Sequence, residues 1–248
     1  MIVCKSQAEI EKLRRAGRLA REILQETRQL ARPGLSTLEL EKFVEKRVAQ
    51  LGARPAFKGY RGYPCCLCTS VNDEIIHGIP SGRRLKAGDI LSLDMGVLLD
   101  GYYGDSALTV PVGEISPALQ KLLRVTEEAL ELAIGRARLG NRLEDISATV
   151  QQFVEGEGFS VVREFVGHGI GRELHEEPQV PNYGKFGHGP RLKEGMVLAI
   201  EPMVTEHGKE VRVLDDQWTA VTLDGGYSAH FEHMVAITSN GPDVLTRL

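Results

Sequence analysis

The sequence predicts an α+β protein of 248 residues built from two similar halves, roughly 1–113 and 114–248. Three observations carry this. First, two β-rich runs flank Asp100-Gly101, a dipeptide that favours a tight antiparallel hairpin. Second, the order of periodic segments is two helices, strands, then two helices and strands again. Third, Leu85-Lys86-Ala87-Gly88 through Asp94 to Val97 lines up with Leu192-Lys193-Glu194-Gly195 through Glu201 to Val204. His77-Gly78-Ile79 likewise matches His168-Gly169-Ile170, as an internal duplication would require.

The elements follow in order. Ser6 with Glu9 forms a capping box, and Ile10, Leu13, Ala20 and Leu24 recur at helical spacing until Pro33-Gly34. Ser36 with Glu39 repeats the signal, and Leu40, Phe43, Val44 and Val48 carry a second helix to Gly52. A Gly- and Tyr-rich loop spans Phe57 to Pro64, and Cys66 to Val71 reads as a strand. Asn72 to Gly88 reads as a polar connection with an apolar island at Ile75-Ile76. After the hairpin, Ser116-Pro117 opens a third helix, with proline in its first turn. Asn141 with Glu144 is expected to cap a fourth helix through Val154. From Phe159 onward the chain reads as strand and loop, with turns at His207-Gly208 and Asp224-Gly225-Gly226.

Composition narrows the class. Hydrophobic content of 42% and charged content of 26% are those of a soluble globular protein. A net charge of -4 and a pI near 6.0 argue against direct nucleic-acid or anionic-membrane binding. No stretch approaches the ~20 apolar residues of a membrane span, and no signal-peptide core opens the chain. Cys4, Cys65, Cys66 and Cys68 lack paired Cys-x-x-Cys units, so reduced thiols in a cytoplasmic protein are expected.

The hairpin carries the chemistry. With Asp100-Gly101 as the turn, Leu99 pairs with Tyr102, Gly96 with Asp105 and Asp94 with Ala107. Asp94 and Asp105 then share a face, one diagonal step and roughly 5 to 8 Å apart. A solvated face is the ordinary reading of two such acids. Here Leu91, Leu93, Val97 and Leu98 make the hairpin look buried, and buried carboxylates need partners. Further candidates interrupt buried-looking sequence: His168 among glycines, Glu201 after Met196 to Ile200, and Glu232 within Phe231-Glu232-His233. Singly, each has a bland reading as a satisfied core group. Together they make four carboxylates and an imidazole, an oxygen-rich set suited to Mn, Fe, Co or Zn. Four carboxylates match two ions that share bridging ligands, and such a pair polarises a carbonyl for hydrolysis.

These pieces resemble the methionine aminopeptidases, type I, metallopeptidases of the pita-bread fold. The resemblance runs the length of the chain through His77-Gly78-Ile79-Pro80, Asp94 with Asp105, Gly167-His168-Gly169-Ile170-Gly171, His175-Glu176-Glu177-Pro178, Ile200-Glu201-Pro202 and Phe231-Glu232-His233. It implies one catalytic domain over 1–248, with a curved antiparallel sheet covered by helices. It implies that Asp94, Asp105, His168, Glu201 and Glu232 hold two divalent ions (Co, Mn, Fe or Zn), Asp105 and Glu232 bridging both. Glu201 is also the implied proton shuttle. His77 and His175 are implied to contact the substrate, His175 at the scissile amide and His77 at the leaving nitrogen.

The implied reaction removes N-terminal Met from nascent chains when the next residue is small. The implied Met pocket falls on Phe57, Tyr60, Tyr63, Cys68, Leu174 and Trp218; rings pack well against a thioether. Phe57 stands where a small Cys often appears, and Leu174 where an aromatic is common. A monovalent cation is implied near Asn72, Glu74 and Ser228. A cytoplasmic monomer that meets nascent chains, with transient ribosome association, completes the expectation. The rivals are a proline-specific peptidase of the same fold, which usually carries an added N-terminal domain, a type II relative, which carries a helical insertion, and a non-catalytic scaffold, which generally lacks some ligands.

Overall fold

The computed structural model describes all 248 residues. Four helices form: α1 (Gln7–Leu30), α2 (Thr37–Gln50), α3 (Pro117–Arg136) and α4 (Leu143–Gly156). The first half adds β1 (Arg54–Pro55), β2 (Leu67–Val71), β3 (Glu74–Ile76), β4 (Ile90–Leu99) and β5 (Tyr102–Pro111). The second adds β6 (Ser160–Val161), β7 (Gly167–Gly169), β8 (Glu176–Val180), β9 (Val197–Ile200), β10 (Met203–Thr205), β11 (Val211–Val213), β12 (Ala220–Thr222), β13 (Ser228–His230), β14 (His233–Thr238) and β15 (Gly241–Val244). All strand pairs are antiparallel.

The capping boxes at Ser6/Glu9 and Ser36/Glu39 are both made, and Ser116 caps α3 with Pro117 in its first turn. The fourth helix starts one residue later than expected. Asp145, not Glu144, reaches back to the Arg142 backbone N–H at 2.7 Å. Asn141 instead donates to the Arg136 carbonyl, and Glu144 accepts the Lys185 N–H. The strand expected from Cys66 starts at Leu67, because the buried Glu41 carboxylate takes the N–H groups of both Cys66 and Leu67. Glu74–Ile76, expected as an irregular connection, pairs with β12.

The hairpin forms in the predicted register, Leu99 with Tyr102, Gly96 with Asp105 and Asp94 with Ala107. Asp100 (φ 50°) and Gly101 (φ 79°) both take the left-handed conformation that a two-residue turn needs. The second half builds the corresponding hairpin from β9–β10 against β13–β14. Ile200 faces His233 and Met203 faces His230, so Glu201 falls opposite Glu232 where the ladder breaks. Pro202 has no N–H to give there, and Phe231 N–H bonds to its carbonyl instead, at 3.3 Å.

The two hairpins meet along β5. Glu232 N–H donates to Ala107 O at 3.0 Å, and Ser106 Oγ donates to Glu232 O at 3.2 Å. Thr109 Oγ1 accepts the His230 N–H and donates to the His230 carbonyl, each at 2.9 Å. One continuous apolar core includes Leu24, Leu93, Val125, Leu198 and Val235 from both halves. Helix α1 lies against β4 and β5 so closely that a Cβ on Gly104 would run into the backbone of Ala16 and Gly17. Burial of these faces drives the association of helix and sheet.

Candidate metal centre

The junction of the two hairpins floors a cavity of about 550 Å³. Asp94 projects from β4, Asp105 from β5, His168 from β7, and Glu201 and Glu232 from the break between β9–β10 and β13–β14. All five are buried and all five line the cavity. A Cβ on Gly167 would collide with the Ala199 carbonyl, and one on Gly169 with the Glu177 carbonyl. The glycines flanking His168 therefore let the neighbouring strands close on its backbone.

The five side chains face one another as acceptors. His168 Nδ1 lies 2.9 Å from the Gly169 carbonyl, which accepts but cannot donate, so the ring proton sits on Nδ1. Its Nε2 lone pair then points toward Glu201 Oε1 at 3.5 Å and Asp105 Oδ2 at 3.9 Å. One ligand atom each from Asp105, His168 and Glu232 lie within 4.8 Å of one another. Asp94 Oδ1, Asp105 Oδ1 and Glu232 Oε1 are buried with no hydrogen-bond partner.

Without a cation, this crowding distorts every ionisation. Burial, opposed by nearby His230 and reinforced by Glu201, pushes the Asp94 carboxyl up to about 7. Burial and the neighbouring acids push Asp105 and Glu232 well above the carboxylate range, and burial alone does so for Glu201. Burial lowers His168 to about 3 and keeps it neutral, as a metal ligand must be. Orphaned oxygens, a neutral imidazole lone pair and mutually repelling acids are what divalent cations relieve. The donor set fits hard or borderline ions.

The remaining expected residues surround this floor. Phe57, Tyr60, Tyr63, Cys68, His77, Leu174, His175 and Trp218 all line the cavity. The Tyr63 and Trp218 rings meet edge to face with centroids 5.1 Å apart, and His77 lies 6.1 Å from the Trp218 ring. His77 holds a left-handed backbone (φ 62°), a strain of the kind found at functional positions. Its ring also packs against Phe165, a wall residue that sequence reasoning missed. His175 Nδ1 lies 2.7 Å from the Tyr60 hydroxyl, and its ring centroid is 4.3 Å from that of His168. Burial lowers both His77 and His175 to about 4.

Asn72, Glu74 and Ser228 lie outside the cavity. Ser228 N–H donates to Asn72 O at 2.8 Å, which brings those two segments together. A second omission of sequence reasoning is His230, 1% exposed, with Nε2 at 3.6 Å from Glu201 Oε2. It is two residues before Glu232 on an extended segment, the spacing that puts both on one face.

Sheets folded into two matching halves around a buried cluster of acids define a class, the pita-bread metallopeptidases. The model of "Metallopeptidase family M24" matches residues 11–239, and the chain belongs to that family. Within it the chain stands with the type I methionine aminopeptidases. It is 52% identical over 248 residues to "Methionine aminopeptidase 1" of Bacillus subtilis, covering 100% of both chains. The crystal structure of the methionine aminopeptidase of Thermotoga maritima matches with a TM-score of 0.98 at 48% identity, again over 100% of both chains. That of Rickettsia prowazekii matches with a TM-score of 0.98 at 37% identity over 100% of both.

Proposed function

We propose that the chain is a metal-dependent aminopeptidase that removes N-terminal methionine from nascent polypeptides when the second residue is small. The observation that carries this is the set of acceptor atoms facing one another at the cavity floor, four buried carboxylates and one neutral imidazole. In this reading the whole chain acts as a single catalytic domain, because each half contributes two of the acids. Asp94, Asp105, His168, Glu201 and Glu232 would hold two divalent ions of the Co, Mn, Fe or Zn type, Asp105 and Glu232 being the acids that would serve both.

Bound there, the ions supply Lewis acidity to the scissile carbonyl and lower the pKa of the attacking water. The side chains do the rest. Glu201 takes the proton from that water and passes it to the departing amine. His175, neutral at physiological pH because desolvation by the cavity walls, aided by Arg61, lowers its pKa to about 4, donates a hydrogen bond to the carbonyl oxygen as negative charge develops. His77, neutral through burial as well, assists at the leaving nitrogen. The free amine of the substrate is drawn to the carboxylates, which limits cleavage to the first residue.

The Met side chain enters a wall of Phe57, Tyr60, Tyr63, Cys68, Leu174 and Trp218, where ring edges suit a thioether. Tyr63 also braces the pocket, its hydroxyl 3.1 Å from the carbonyls of Leu67 and Gly78. A monovalent cation near Asn72, Glu74 and Ser228 belongs to this reading as a structural ion. The side chains there are already committed: Asn72 to Asp89 and Ile90, Glu74 to Val71 and Arg83, and Ser228 to Val204. A cytoplasmic monomer meeting chains as they leave the ribosome is the setting that fits such a substrate.

The test is to strip the protein with chelator, resupply Mn, Co, Fe or Zn one at a time, and follow cleavage of a Met-Ala-Ser peptide. Restored release of Met with at least one ion is expected. No restoration with any of them refutes the reading. Preferential cleavage of Xaa-Pro peptides moves the chain to the proline-specific branch.

A further inference from the structure

The geometry points to His230 as the positioning residue of Glu201: its Nε2, 3.6 Å from Glu201 Oε2, is placed to donate to that oxygen once the carboxylate is ionised, which leaves Oε1 for the ions. This rests on the metal reading above. Glu201 lies between two imidazoles, His168 Nε2 at 3.5 Å from Oε1 and His230 Nε2 at 3.6 Å from Oε2. The two contacts differ in kind. His168 spends its proton on the Gly169 carbonyl, so it offers Oε1 a lone pair and the pair closes only around a cation. His230 spends its proton on nothing, since neither of its ring nitrogens has a hydrogen-bond partner.

A buried neutral imidazole carries one N–H, and leaving that donor without an acceptor is unfavourable. The carboxylate oxygen facing Nε2 is the acceptor in reach. With cations in the site Glu201 is ionised, and a hydrogen bond to a charged acceptor is among the stronger kinds. The backbone of His230 is fixed for the task, because Thr109 Oγ1 bonds both its N–H and its carbonyl at 2.9 Å. His230 does not line the cavity, so it stands behind Glu201 and supports it rather than meeting the substrate. Asp94 and His77 are the other titratable groups that act on this ring. The two oxygens of Glu201 thereby take separate duties, and the carboxylate cannot rotate to give both to the ions.

The test uses the full chain with zinc as the probe. Zinc affinity is measured by titration calorimetry for the wild type, His230→Met and His230→Gln, and the His230 tautomer is read from nitrogen-15 NMR of histidine-labelled wild-type protein. His230→Met removes the donor at similar volume and is expected to weaken zinc binding about 10- to 100-fold. His230→Gln keeps an N–H in reach and is expected to restore most of it. The wild-type ring is expected to carry its proton on Nε2. Wild-type affinity in His230→Met, equal losses in both variants, or a proton on Nδ1 would each overturn the assignment. A wild type that takes up no zinc overturns the metal reading and this inference with it, whereas zinc binding indifferent to His230 overturns the inference alone.

Discussion

Metal uptake by this protein should release protons, and the structure shows which groups give them up. With no cation present, the Asp94 carboxyl titrates at about 7, so near pH 6 it is about nine-tenths protonated. Burial likewise pushes Asp105, Glu201 and Glu232 well above the ordinary carboxylate range. His168, lowered to about 3, is already neutral and contributes no proton. The four carboxyls titrate as a cluster, so the count belongs to the set rather than to one member. Filling the site with ions near pH 6 should therefore displace protons, about one or more from the set.

Protons compete with the ions, so affinity rises with pH through the raised carboxyl pKa values and levels off above them. Each proton released per ion corresponds to about a tenfold gain in affinity per pH unit below that plateau. Calorimetric titration with zinc in buffers of different ionisation enthalpy measures the release. Fewer than about one proton per pair of ions, or an affinity indifferent to pH, would refute the claim that uncompensated carboxylates fill the floor of the cavity.

Asp105→Ala should abolish Met-Ala-Ser cleavage and leave the protein unable to fill both metal positions, as metal analysis will show. His77→Ala should keep both ions while lowering kcat by about 10²-fold or more, so full turnover in either variant contradicts the roles of these two side chains. Glu176→Ala should cost about 3 to 5 kcal/mol in urea unfolding, because it strands Lys5 in a largely buried site at the foot of the loop carrying His175. The same change frees the Arg172 N–H that Glu176 accepts at 2.9 Å. Gly104→Ala should lower stability by about 1 to 3 kcal/mol, since its Cβ enters the backbone of α1, and an unchanged melting temperature would refute that close approach.

The first half of the site was legible because a strand has a period of two and a turn fixes its register. Once Asp100-Gly101 is the turn, Asp94 and Asp105 must share a face. The second half was legible through its likeness to the first, which placed Glu201 at the position of Asp94. The exact opposition of Glu201 and Glu232 was hidden, because the ladder stops at Pro202 and pairing rules do not run through a break. The start of α4 was misplaced because Asn141 and Glu144 make a good cap on paper, while the tertiary contact of Asp145 with Gly187 N–H decides the matter. Trp218 sits in a turn organised by Asp216, which accepts the N–H groups of both Trp218 and Thr219. No periodicity leads to it, and its place in the pocket came from family resemblance. His230 carried a usable signal, the two-residue spacing from Glu232, but a lone buried histidine has many ordinary uses.

The two acid pairs are mounted differently. Asp94 and Asp105 ride on an unbroken ladder whose every rung resists a shift of its neighbours. Glu201 and Glu232 sit at a gap between short strands, where single bonds replace the ladder: Glu232 N–H to Ala107 O, Ser106 Oγ to Glu232 O, and Asn182 Nδ2 to Glu201 O. The clamp thus has one jaw held by a ladder and one pinned by single bonds. Two of those pins come from β5, so any shift of that strand would carry both jaws with it.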